Sequence, residues 1–281
     1  MLRNKTIWSY LIRTAWLQIC LAVISSSSFA APIAIVNHSF ESNPAPVPSD
    51  ITSGVANGWS PYNPMSTAGV FYGSLFAAPD NYPAGAPDGD HVQVNFISAN
   101  NPAGEEFGVF QTLNATLEEN TIYTLTVEVG NINSGFNDLN ATPNDPNDDP
   151  FFNIMGFNGY RVELRTDSVS GSGSTLIADT LSNTDGNDIP DGEFRTVTLT
   201  YDSRNATISL IGEQLEILLV NLNEIDPNFV GHDRETNFDN VRLNTGPAPL
   251  KSSKVPMPES ALFIFGFSIF ALAIVRTRIP R

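Results

Sequence analysis

Cysteine is almost missing from this chain of 281 residues, with Cys20 the only one. A lone thiol closes no disulfide within a chain, so neither a disulfide framework nor a cysteine-based zinc site holds the protein together. Lysine is confined to positions 5, 251 and 254; between residues 31 and 250 the only cationic side chains, histidine aside, are Arg161, Arg165, Arg195, Arg204, Arg234 and Arg242. Every acidic residue except Glu259 lies in that same stretch, and the whole chain carries a formal charge of −16. A nucleic acid needs a basic patch on its partner, and none is available, so nucleic-acid binding is excluded. Catalytic signatures are missing too. His38, His91 and His232 are scattered with no His-Glu-x-x-His spacing, and no Gly-x-Ser-x-Gly elbow occurs. At this level the chain reads as a non-catalytic protein.

A sustained helical period is also absent. Apolar and polar residues instead alternate at period two in His91–Ile97, Ile122–Val129, Tyr160–Arg165 and Phe194–Thr200. Such alternation gives a strand one apolar and one polar face, as in half-buried antiparallel sheets. Further strands are expected at Ile33–Val36, Gly69–Tyr72, Val109–Leu113, Thr175–Leu181, Ala206–Leu210, Leu215–Leu222 and Phe238–Leu243. Gly, Pro, Asn and Asp clusters separate them, and the predicted fold class is an all-β antiparallel sandwich over residues 31–250. Residues 133–150 read as a long polar loop.

The two ends differ from this body. Arg3, Lys5 and Arg13 precede an apolar stretch, and Ser28-Phe29-Ala30 supplies small residues for cleavage, so residues 1–30 read as a signal peptide. At the other end a linker, 251–260, leads into an uncharged segment, 261–275, followed by a basic tail, 276–281. Fifteen apolar residues cover roughly 22 Å as a helix, a short transmembrane segment, and arginines behind it are held on the cytoplasmic side. The expected location is therefore outside the cytosol: secreted across the inner membrane, anchored transiently, then in the cell envelope or extracellular.

The order Pro256, Met257, Pro258, Glu259, apolar run, Arg276 and Arg278 resembles the PEP-CTERM sorting signal of exosortase substrates. The resemblance implies an exosortase-type processing enzyme as partner, acting on Pro256, Pro258 and Glu259. The body has a second likeness. Ile35–Glu41 followed by Gly58-Trp59, then Phe110–Leu113, then a closing Thr236–Leu243, resembles galactose-binding-like jelly rolls, including many carbohydrate-binding modules. That resemblance implies a jelly roll, a glycan such as an extracellular polysaccharide as partner, and a structural calcium between the first and last strands, with Glu41 and Asp239 as its side-chain ligands.

Other candidates come from the residues themselves. Asp185, Asn187 and Asp191 place oxygens beside Gly186 as calcium loops do, in a segment similar to thrombospondin type 3 repeats, although a turn leading into the Phe194 strand explains the composition equally. Tyr62, Phe71, Tyr72 and Tyr82 lie in a Pro- and Gly-rich stretch that could offer rings to sugar faces. The resulting expectation is an exported, non-catalytic glycan-binding protein. Its alternatives are a calcium-cross-linked biofilm matrix protein and a glycoside hydrolase-like enzyme using two of the many carboxylates.

Overall fold

The computed structural model describes residues 30–42, 51–136, 151–167, 173–186 and 188–249. The expected transmembrane segment and basic tail, with Pro256, Pro258, Glu259, Arg276 and Arg278, lie outside the described residues, as does Asn187. So does the expected signal peptide up to residue 29, and most of the expected polar loop, from 137 to 150.

Strands follow one another as β1 (Ala31–Ile33), β2 (Ile51–Ser53), β3 (Ser60–Tyr62), β4 (Val70–Phe76), β5 (His91–Ile97), β6 (Phe107–Thr116) and β7 (Thr121–Asn131). Then come β8 (Gly135–Phe136), β9 (Phe151–Phe152), β10 (Tyr160–Asp167), β11 (Ser174–Leu181), β12 (Glu193–Asp202), β13 (Gln214–Asn221) and β14 (Arg234–Pro247). Seven strands form one antiparallel sheet in the order β12-β7-β14-β5-β4-β2, with β1 also on β14. Five form the facing sheet, β11-β10-β13-β6-β3, and β8 pairs with β9 alone. The architecture is the all-β antiparallel sandwich that the alternation predicts.

Period two dictates which residues meet between the sheets. Along β7, Tyr123, Leu125, Val127 and Val129 face inward; Tyr160, Val162 and Leu164 of β10 and Leu215, Ile217 and Leu219 of β13 meet them from the other sheet. At about 25 cal/mol per Å² of apolar surface, burying side chains of this size stabilises the fold by roughly 2 kcal/mol each before entropy is subtracted. One expected strand fails. Ala206–Leu210 contains a single 3-10 turn, Ile208–Leu210, with Ile208 74% exposed. It lies where the chain crosses from β12 in one sheet to β13 in the other, so no neighbouring strand is there to take up its backbone bonds.

β14 organises the seven-stranded sheet. It pairs with β7 along nearly its whole length, while its other edge pairs first with β5, through Arg234–Phe238, and then with β1, through Leu243–Thr245. Between these partners the register with β7 slips, between Asp239 and Arg242, and Asn240 takes a positive φ of 51°. The loop after β1 fills the gap there, with Val241 N–H donating to the His38 carbonyl.

The sheet's outer face carries a second apolar cluster. Leu75, Val92, Val94, Tyr82, Ile132 and Ile154 are buried there, with Phe71, Phe96, Phe152 and Phe194 packed against them. Registers set the rows: Phe71, Phe96 and Glu235 are direct partners across β4, β5 and β14, and Gly73, Val94, Asn237 and Gly130 form the next row. The outer face of the five-stranded sheet is charged instead, with Arg161 paired to Glu106 and Glu163, and Arg165 to Glu216.

Candidate functional site

A cavity of about 410 Å³ opens on the outer face of the seven-stranded sheet, lined by Ile51, Ser53, Phe71, Val94, Phe96, Phe152 and Glu235. Its aromatic walls meet edge to face. Phe71 and Phe96 lie 6.3 Å apart between ring centroids at 86°, and Phe96 and Phe152 lie 6.2 Å apart at 87°. Phe71 keeps its place because Gly73 has no side chain: a Cβ there would sit 2.8 Å from the Phe71 ring and 2.8 Å from the Thr52 carbonyl.

Into this apolar wall β14 presents one ionisable group. Glu235 is buried, and its Oε1 accepts a 2.8 Å hydrogen bond from Asn237 Nδ2. Burial pushes its carboxyl from the ordinary 4.5 up to about 7; the Asn237 bond opposes the rise and Asp233 adds to it. The acid therefore holds its proton near neutrality. A carboxyl in this state donates or accepts a proton at little cost, which is the property a general acid–base catalyst needs.

A second carboxylate site lies along the same strand. Asp239 is fully buried and accepts from the Asp88 and Asn240 amides at 2.8 and 2.6 Å. Glu41 accepts from the Asp90 and His91 amides at 2.9 and 2.7 Å, and pairs with the His91 ring at 2.9 Å. The segment from Asp88 to His91 thus bridges the two residues expected as calcium ligands. Burial pushes the Asp239 carboxyl up to about 8, with Asp88 and Glu41 adding to the rise. Among the described residues no group of three or more His, Cys, Asp and Glu is disposed to hold a metal.

The remaining sequence candidates do not gather. Asp185 closes a turn, its Oδ2 accepting from Ser182 N–H, while Asp191 Oδ1 accepts from Asn131 Nδ2 and Gly156 N–H. Nor do the three tyrosines form an exposed edge. Arg165 stacks over the Tyr62 ring, and Tyr72 packs edge-on against Phe107 with its hydroxyl on the Tyr62 carbonyl. Tyr82 is fully buried, which bars its ring from a sugar outside.

Residues 31–244 match the HpiC1-like family, described as HpiC1 cyclase. The chain belongs to the HpiC1-like cyclases. An apo cyclase from Fischerella sp. is 27% identical, with a TM-score of 0.59 over 78% of this chain and 98% of that one. A Stig cyclase from Fischerella sp. TAU, solved with (3Z)-3-(1-methyl-2-pyrrolidinylidene)-3H-indole, is 29% identical, with a TM-score of 0.59 over 79% and 100% of the two chains. A cyclase from the same organism, solved with 4-(1H-indol-3-yl)butan-2-one, is also 29% identical, with a TM-score of 0.58 over 78% and 100%. A carbohydrate-binding module of type CBM4 matches at 13% identity and a TM-score of 0.38, too distant to bear on ligand. No curated protein matches.

Membership in the HpiC1-like cyclases corrects the functional expectations drawn from the sequence. The non-catalytic glycan-binding protein, the biofilm matrix protein and the glycoside hydrolase give way to a cyclase family. The exosortase-type enzyme, the polysaccharide and the inner membrane lose their place as partners, because the relatives are cyclases solved with small molecules. The membrane-anchored, secreted location is withdrawn on the same match; among the described residues no helix is long and apolar enough to cross a membrane.

Sequence reasoning missed Glu235 and noticed Phe71 for another reason. The signal available was small: an acidic residue two and four places before Asn237 and Asp239, all on one face of the closing strand.

Proposed function

We propose that this chain is a cyclase that closes rings on a small, largely apolar, indole-bearing substrate by acid–base catalysis, with Glu235 as the proton donor. The observation that carries the reading is the buried carboxyl of Glu235 in the aromatic cavity, the one carboxyl lining it among the described residues, up to about 7 through burial. The indole compounds bound by the two relatives support the substrate class.

The chemistry follows from the lining. Neutral Glu235 gives its proton to an electron-rich carbon of the substrate, so that a C–H bond forms from a π pair and a carbocation develops. Phe71, Phe96 and Phe152 turn ring density toward that charge, and a desolvated cation beside an aromatic ring gains about 2 kcal/mol. A second π system of the substrate, such as the indole, captures the cation and closes the C–C bond. Loss of a proton to the Glu235 carboxylate then restores both aromaticity and the acid. Substrate and product have the same mass, and the apolar walls of the cavity, once filled by substrate, limit the access of water to the cation.

Calcium at Glu41 and Asp239 is part of this proposal. What supports it is a crowd of acidic oxygens short of cations: Asp88 and Glu41 raise the buried Asp239 carboxyl further, and among the described residues no cationic side chain pairs with Asp239, whereas His91 reaches Glu41 and Arg242 reaches Asp88 at 3.1 Å. Gly89 supports it too, since a Cβ there would sit 2.4 Å from Glu41 Oε1 and displace that carboxylate. Backbone carbonyls would supply the other ligands. Bound there, the ion would neutralise the carboxylates and pin the opening loop to the strand that carries Glu235.

The deciding experiment incubates the purified full chain with indoles carrying unsaturated side chains and follows products by chromatography, mass and NMR. A cyclised isomer should form, and Glu235→Gln should lower kcat by about 10²–10⁴-fold. Undiminished turnover in that variant would defeat the assignment.

A further inference from the structure

The side chains behind Glu235 form a buried chain of donors. Tyr82, in the turn after β4, gives its hydroxyl proton to Asn237 Oδ1 at 2.5 Å. The same Asn237 gives one amide proton to Glu235 Oε1 at 2.8 Å and the other side of its NH2 group to the Gln93 carbonyl at 3.1 Å. Tyr82 and Asn237 are both fully buried. The position of the hydroxyl is built in: a Cβ at Gly130 would lie 2.7 Å from it and 2.5 Å from the Phe194 ring, which stacks on Tyr82 with centroids 4.4 Å apart.

We infer that Tyr82 is a positioning residue: by fixing the orientation of the Asn237 amide it places the Glu235 proton on Oε2, the oxygen left to face the substrate. Donors and acceptors here match in one orientation of the amide. A primary amide has one oxygen face and one nitrogen face, and here the Tyr82 hydroxyl claims the first while Gln93 and Glu235 claim the second. Glu235 Oε1 receives a donor, so it is the carbonyl oxygen of the neutral acid and Oε2 carries the hydrogen. Were the amide reversed, its oxygen would face Glu235 and accept the acid's proton, drawing it away from the cavity. A tyrosine held by burial in its neutral form remains a donor throughout the useful pH range. This deepens the proposed function and rests on Glu235 being the acid.

Among the described residues the titratable groups facing Glu235 are Asp233, just before β14, and, through Asn237, Tyr82. Among the described residues the cavity walls from β2, β4, β5 and β9 contribute only Ile51, Ser53, Phe71, Val94, Phe96 and Phe152, none of them titratable.

The test needs no substrate. Infrared difference spectra of the full chain across pH, with Glu235→Gln to assign the band, read the carbonyl stretch of the neutral carboxyl and its titration midpoint. Tyr82→Phe keeps the ring and its stack on Phe194 but removes the donor. The carbonyl band should move, and the midpoint should rise by about one pH unit as the ionised form loses its amide partner. Gly130→Ala, which crowds the same hydroxyl, should reproduce both changes and serves if Tyr82→Phe does not fold. A folded variant whose band and midpoint match the parent overturns the inference. Failure of the acid assignment shows elsewhere, as Glu235→Gln that still turns over substrate, so the two ideas fall to different results.

Discussion

Glu235 and Asp239 stand four residues apart on one face of β14, both buried and both with raised carboxyl pKa values, yet their surroundings prepare them for opposite tasks. Glu235 meets aromatic rings and one amide, so burial is answered by keeping a proton. Asp239 meets two backbone amides with Glu41 and Asp88 nearby, so its natural answer to burial is a cation. Desolvation alone therefore does not define function. What decides is whether the neighbours offer ring faces or further oxygens.

The strongest way to break this contrast is a pair of variants measured for turnover in saturating calcium. Glu235→Gln should slow cyclisation by about 10²–10⁴-fold, while Asp239→Asn should retain most of it; equal losses would mean that both carboxylates serve the chemistry. Next is pH. The folded value of Glu235, about 7, lies above its ordinary 4.5. Its contribution to stability is thus full below the ordinary value and is lost as pH rises through 7, by no more than about 3 kcal/mol. Urea melts at pH 5 and pH 8 should show this fall in the calcium-free chain together with that of Asp239, whose carboxyl is raised to about 8, and Glu235→Gln should remove the Glu235 share and leave the Asp239 share.

Calcium sharpens the other side of the comparison. At one hundred times its dissociation constant the ion should stabilise the chain by about 2.7 kcal/mol, read as a rise in Tm by calorimetry against a chelator control. Glu41→Ala should remove that response and Glu235→Gln should keep it; a Tm indifferent to calcium in the parent chain would refute the ion. The smallest effect is expected at the cavity wall. Phe152→Ala should weaken binding of 4-(1H-indol-3-yl)butan-2-one about fivefold, the loss of one aromatic contact, as measured by isothermal titration.

Much of the sandwich was legible because a half-buried strand writes its faces into the sequence at period two. The alternation at His91–Ile97 coincides with β5, and those at 122–129 and 194–200 lie within β7 and β12. Short strands such as β2, β3 and β9 carry only two or three residues, too few for any period to appear. The pairing of Glu41 with Asp239 came only as what the resemblance to galactose-binding-like jelly rolls implies, and the amides of Asp88, Asp90 and His91 link the two carboxylates. The cavity was not legible. In Arg234–Asp239 the face holding Glu235, Asn237 and Asp239 is polar, and a polar face normally reads as one turned to water. Only long-range partners bury it: Phe152 from β9, Tyr82 from the turn after β4, and Phe71 and Phe96 across the sheet. Phe71 drew notice as a ring for sugars, since a ring's type is visible in sequence while the direction it faces is not.

The placement of β14 has a consequence for how activity arises during synthesis. It is the final strand of the sandwich, yet it sits in the interior of its sheet, with β7 on one side and β5 and β1 on the other. In a growing polypeptide β7, β5 and β1 therefore lack their shared partner until residues 234–247 emerge, and contacts so distant in sequence close slowly. Because that segment brings Glu235 with it, a nascent or truncated chain lacking residues after 233 has no acid to offer, and chemistry begins only when the fold is complete.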